Sequence, residues 1–128
     1  MTGAVLALTG GVAGTTGGYS GSPGAVSWGN INAFDGGTNN NQTLTGVTGS
    51  MLVSASITGA GGLFYVLNGG AGQFYTGPFL WPEGQTLCWG VNTSGGNVAG
   101  TVTVENDTAG TTLASFTYSV KVSRTGGL

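Results

Sequence analysis

Thr112-Leu113-Ala114-Ser115-Phe116-Thr117-Tyr118-Ser119-Val120-Lys121-Val122-Ser123 is the stretch on which the fold turns. Phe116, Tyr118, Val120 and Val122 alternate with Thr117, Ser119, Lys121 and Ser123. A period of two places one set on a buried face and the other in water, as in a half-buried strand. The spacing predicts a strand from about Thr112 to Arg124. Leu113 is out of phase with Phe116, which predicts a bulge near Ala114–Ser115. The same alternation recurs upstream in Met51, Val53, Ala55 and Ile57, in Leu87, Trp89 and Val91, and in Val102 and Val104. Turn residues separate these runs at Asn68-Gly69-Gly70, Glu83-Gly84 and Asp107–Gly110. No segment carries helical spacing of useful length, because glycine, threonine and valine dominate every window.

The weaker segments complete the chain. Leu63–Leu67 is apolar on both faces, which predicts a central strand with both sides covered. Asn68-Gly69-Gly70 turns it into a return strand at Gln73–Thr76. Pro78–Pro82 reads as an edge or loop segment, since proline is excluded from central strands. Ala25–Ile31 is a candidate strand with Val26 and Trp28 on one face, and Phe34 to Asn41 a loop. Thr43–Val47 reads as a short strand followed by a turn at Gly49. Residues 1–24 form a glycine-rich arm with a possible strand at Val5–Thr9, and residues 25–128 form the domain. About eight strands joined by short turns predict an all-β fold, an antiparallel β-sandwich of Ig-like or fibronectin-like type, with a jelly roll as the alternative.

Composition excludes most chemistry. Charged residues make up 5% of the 128 residues, against about 25% in an ordinary domain. The net charge is −2, and the only cations, Lys121 and Arg124, cannot build a basic patch. Neither nucleic acid nor an anionic membrane is an expected partner. With His 0, the commonest general base and metal ligand is missing, and no Ser-His-Asp arrangement can exist. Asp35, Glu83, Glu105 and Asp107 fall at turns or strand edges rather than across a cleft. No enzyme activity, cofactor or metal is expected. The oxygens of Asp35 to Asn41 read as turn chemistry, and Cys88, between Leu87 and Trp89, as a small buried thiol. Val5-Leu6-Ala7-Leu8 is too short and unflanked for an export signal, which points to synthesis in the cytoplasm.

Asn41-Gln42-Thr43-Leu44-Thr45-Gly46, Tyr65-Val66-Leu67-Asn68-Gly69-Gly70, Gly84-Gln85-Thr86-Leu87-Cys88-Trp89-Gly90-Val91-Asn92 and Gly100-Thr101-Val102-Thr103-Val104 together resemble small Gly/Thr-rich β-sandwich proteins of tailed-phage virions. The resemblance spans about residues 41–123. It implies a capsid decoration (cement) protein or a tail or fibre domain, located on the virion and without catalysis. It implies self-association, as a homo-oligomer such as a trimer, and contact with the major capsid protein or another virion protein. It carries over no site residue.

A physical argument runs parallel. Free β-proteins guard open strand edges with charge or proline, and this chain has few charges to spare. Its edges are therefore expected to be covered by a permanent neighbour. The candidate protein interface comprises Val5, Leu6 and Leu8 of the arm with Phe79 and Trp81 of the proline-flanked segment. Tyr75, Phe79 and Trp81 are the alternative candidates for stacking on a host-surface glycan, the function of a fibre or adhesin module, and the third reading of these rings is a core lid over an open end of the sandwich. Trp28, Trp89 and Tyr118 are expected in the core.

Overall fold

The computed structural model describes residues 18–123. Their regular structure is all strand: β1 (Gly18–Gly21), β2 (Ile31–Phe34), β3 (Gly36–Thr38), β4 (Gln42–Thr43), β5 (Val47–Ile57), β6 (Gly62–Leu67), β7 (Gln73–Phe74), β8 (Phe79–Pro82), β9 (Thr86–Asn92), β10 (Val98–Asn106) and β11 (Thr111–Lys121). They form a six-stranded and a five-stranded sheet packed into a β-sandwich. Pairing is antiparallel except between β2 and β11, which run parallel.

In the first sheet, β5 pairs with β1, β8 and β10. Ser50 is paired with both Gly18 and Pro82, and Val53 with both Asn106 and Phe79. A strand residue has one neighbour on each side, so β8 runs along one side of β5. β1 and β10 share the other side end to end. The Tyr19 hydroxyl meets Asn106 Nδ2 at that join, 2.6 Å apart. β11 follows β10, and β2 closes the sheet as its edge. In the second sheet β9 is central, with β6 on one side, β3 and β4 on the other, and β7 as the edge beyond β6.

The strongly alternating runs behave as the pattern predicts. Met51, Val53, Leu87, Trp89, Val91, Val102, Val104, Phe116, Tyr118 and Val120 all point into the core. Val104 pairs with Ala114 while Glu105 pairs with Thr112, so the unpaired extra residue is Leu113, next to the bulge position expected. Asn68 and Gly69 take φ of 51° and 73°, the two positive values a tight primed hairpin turn requires. Phe79–Pro82 is an edge strand, as its prolines demand.

Other expectations are corrected. Ala25–Ile31 is not a strand. Its Trp28 is nonetheless buried, donating Nε1–H to Leu87 O at 2.8 Å, and the strand begins only at Ile31. The loop expected at Phe34–Asn41 contains β3, and Gly49 lies within β5 instead of ending a strand before it. The last strand stops at Lys121, leaving Val122 half-exposed. Residues 18–24 of the arm add a strand to the sandwich, one of the two places open to an arm too poor in apolar residues to fold alone: β1 pairs with β5, and Ser22 and Gly24 donate to Gly46 O and Thr45 O. The possible strand at Val5–Thr9 lies outside the described residues.

Candidate functional site

The two outer faces of the sandwich differ in chemistry. On the six-stranded sheet, Ser54 and Ser56 of β5, Thr101 and Thr103 of β10, and Thr117 and Ser119 of β11 alternate with core residues and form a hydroxyl carpet. Glu105 and Lys121 are on the same face. No strand of the five-stranded sheet contains a charged residue. Its outward positions include Phe64 and Val66 on β6, Phe74 on β7, and Cys88, Gly90 and Asn92 on β9, with Thr38, Thr43 and Thr86 towards the β3/β4 side.

Glycine shapes this face. Phe64 pairs across the strands with Gly90 on one side and Phe74 on the other. The far end of its ring sits over Gly90, so closely that a β-carbon there would collide with Cζ, Cε1 and Cε2. The bare backbone of Gly90 is thereby buried under the aromatic. A β-carbon on Gly72 would meet Phe64 Cδ2 at 3.3 Å, and one on Gly62 would meet Phe74 Cε1 at 3.5 Å. Between the rings is a hollow of about 210 Å³ lined by Phe64, Gly72, Phe74 and Asn92. Phe74 stands beside it with 67% of its surface exposed. A phenylalanine that exposed, next to a part-exposed second ring and no charge, is an unsatisfied apolar surface.

A second exposed ring, Phe34, is at the open edge of β2. It borders a groove of about 460 Å³ with Gly95, Gly96, Asn97, Lys121 and Val122. Lys121, Asn97, Asn32 and Ser119 surround this ring, so it is a weaker apolar patch than the Phe64–Phe74 face.

No protein family and no curated protein matches this chain. The residues themselves must carry the reading.

Of the readings open for Phe79 and Trp81, the structure has the core lid and not the contact surface. Trp81 is fully buried and Phe79 nearly so, both in the seam between the sheets. Phe79 stacks on Tyr65 with centroids 3.7 Å apart, and Tyr75 meets Phe79 and Trp89 edge-on. Trp81 donates Nε1–H to Gln85 O, and the half-buried Tyr75 hydroxyl accepts from Ala55 N. These rings join β8 of one sheet to β6 and β9 of the other; Phe79 and Trp81 offer no free face to a partner or a sugar, and Tyr75 is half-buried with its hydroxyl engaged. Val5, Leu6 and Leu8 lie outside the described residues. Phe64 and Phe74 were missed because Leu63–Leu67 reads as covered on both sides, whereas only the inner side is. The available signal was Gly90 opposite an aromatic and Gly72 beside the short return strand.

The polar groups elsewhere are occupied by structure. On the side away from β6, β9 has no strand partner at Trp89, between the end of β3 and the start of β4. Asn39 fills the gap: its N–H donates to Trp89 O at 3.0 Å and its Oδ1 accepts from Trp89 N at 2.9 Å. Asn40 Oδ1 accepts from Gly29 N, and Asp35 Oδ1 from Ser123 N. Asp35 Oδ1, Asn39 Oδ1 and Asn40 Oδ1 are thus turned onto the chain. Cys88 is buried, and desolvation pushes its thiol pKa up, which keeps it protonated and a poor nucleophile. The Tyr65 and Tyr118 hydroxyls are likewise raised by burial, with the neighbouring Tyr75 adding to the first.

Proposed function

We propose that this protein is a non-enzymatic structural module of a phage virion, an Ig-like capsid decoration protein that stabilises the particle through permanent protein–protein contact. The observation that carries the reading is the charge-free set of strands in the five-stranded sheet, with Phe74 exposed beside Phe64 and the hollow that both rings line. A transient partner would have to be released from such a face into water, re-exposing two aromatic rings. Obligate interfaces are the more apolar class for that reason. The resemblance of residues 41–123 to virion β-sandwich proteins supplies the kind of particle. The scarcity of charge and the lack of histidine agree with scaffolding and not with turnover.

The test is retention on particles. The protein is expected to co-purify with virions through a density gradient, and virions lacking it to lose their genome at lower temperature. Phe74→Ser is expected to reduce retention while leaving the circular dichroism spectrum unchanged. Protein found wholly in the soluble fraction of a lysate, with no effect of its deletion on particles, overturns the reading. A glycan-array signal lost in Phe74→Ser would instead assign the face to sugar recognition by a fibre module.

A further inference from the structure

We infer that Asn68 is a site of spontaneous covalent modification, where the folded protein loses ammonia and becomes aspartyl and isoaspartyl at the turn after β6. The inference is independent of the virion reading. Asn68-Gly69 is the one Asn-Gly pair in the chain. The reaction needs a main-chain nitrogen free to attack the carboxamide carbon of the residue before it. Asn68 N–H donates to Thr86 O at 2.7 Å and Gly70 N–H to Leu67 O at 2.9 Å, whereas Gly69 N–H has no acceptor among the described residues. Asn68 and Gly69 are both exposed, and a β-carbon on Gly69 would meet nothing within 4 Å. Water and base therefore reach this nitrogen, and no side chain on Gly69 crowds its approach to Asn68.

The fold protects the competing sites. Asn106 is buried, with Nδ2 on the Tyr19 hydroxyl and Oδ1 accepting from Ala109 N. Asn39 and Asn40 have both carboxamide atoms engaged. Asn30, Asn92 and Asn97 precede Ile31, Thr93 and Val98, whose branched β-carbons obstruct the approach. Asn32 and Asn41 precede Ala33 and Gln42, which strand pairing holds. Asp35-Gly36 shares a positive φ, 67° at Asp35. Its carboxylate would have to expel an oxygen instead of ammonia, and its Oδ1 is held by Ser123 N.

At Asn68 the steps balance with water alone. Base removes the Gly69 N–H proton, and the nitrogen's electron pair forms a bond to Asn68 Cγ. The Cγ–Nδ2 bond breaks, and the nitrogen leaves as ammonia with a proton from water, closing a succinimide ring. Water then opens the ring at either carbonyl, giving aspartate or, with the main chain rerouted through Cγ, isoaspartate. Ring closure requires rotation about the Asn68 Cα–C bond, out of the turn set by φ of 51° and 73° and closed by Gly70 N–H on Leu67 O. Folding therefore slows the step, but only the turn bond has to open. The product adds a negative charge to a net charge of −2.

Incubation of the full chain in mildly alkaline buffer tests this, followed by isoelectric focusing, peptide mapping by mass spectrometry and an isoaspartyl assay. The first acidic form to accumulate should map to Asn68, contain both aspartyl and isoaspartyl products, and appear faster as pH rises. In the urea-unfolded chain the rate should be about 5–30-fold higher, because no turn bond then has to be given up. Asn68→Gly keeps a residue suited to positive φ and should remove that form while leaving the circular dichroism spectrum unchanged. A first acidic form at any other asparagine overturns the inference. So does a folded chain that stays unmodified when the unfolded one has wholly converted, or an acidic form that persists in Asn68→Gly at the original rate.

Discussion

Asn39 shows how a chain with few charges satisfies its backbone. Its main-chain N–H and side-chain Oδ1 take both hydrogen-bonding groups of Trp89 where the strand partner is interrupted, and its Nδ2 holds Gly29 O at 3.1 Å. Asn30, Asn40 and Asn97 do similar work, their Oδ1 atoms accepting from Thr117 N, Gly29 N and Val122 N. Asn39→Ala leaves the Trp89 N–H without its acceptor, and a loss of about 1–3 kcal/mol is expected from urea unfolding. A loss below a few tenths of a kcal/mol would mean that water takes over the bond. The Trp89 indole N–H differs: it is buried with no acceptor, surrounded by the rings of Trp28, Tyr65, Tyr75 and Phe79. None of these pairings was legible in the residues alone. An asparagine run reads as a turn, and which backbone group lies opposite it depends on strands distant in the chain.

At the scale of the element, the central strand β9 reads differently on its two sides. Leu87, Trp89 and Val91 fill the core, and their alternation announced it. The outward residues Cys88, Gly90 and Asn92 show no such signal, and Gly90 in a strand interior should weaken it. Phe64 removes that cost by lying over the bare backbone. Gly90→Ala is therefore expected to push the Phe64 ring off the sheet and destabilise by about 1–3 kcal/mol, the usual range for overpacking. The double variant Gly90→Ala/Phe64→Ala should recover part of that loss. If the two losses simply add, the ring does not rest on Gly90. Strand Ala25–Ile31 failed for the opposite reason. Its alternation placed Val26 and Trp28 together correctly, but the segment links β1 to β2, at opposite ends of the six-stranded sheet, and Trp28 is held by a single side-chain bond to Leu87 O instead of a ladder.

For the molecule as a whole, the absence of histidine removes imidazole titration near neutrality, and the groups with resolved shifts all titrate at alkaline pH. Cys88, Tyr65 and Tyr118 have pKa values raised by burial, so each holds its proton more tightly folded than unfolded. Each contributes stability that is complete below its unfolded pKa and is lost as pH rises through its folded one. Loss should begin above about pH 8.5 with the thiol and continue above about pH 10 with the phenols. The urea midpoint is expected to change little between pH 6 and 8 and to fall beyond. In Cys88→Ala the first part of that fall, measured against the variant's own neutral value, should disappear. A midpoint that rises between pH 8 and 10 contradicts this account.

What the amino-acid order determined by itself was the class of fold, its core and its poverty in catalytic side chains. These follow from a period of two, from turn residues and from composition, all of which are local or global counts. Tertiary structure alone decided which apolar surfaces stay open. Phe79 and Trp81 stand between two prolines yet close the seam between the sheets, while Phe64 and Phe74 belong to a strand and its hairpin partner yet face outward. Burial of a strand's second face requires another layer above it. Whether such a layer exists is a property of how the sheets stack, which no single strand encodes.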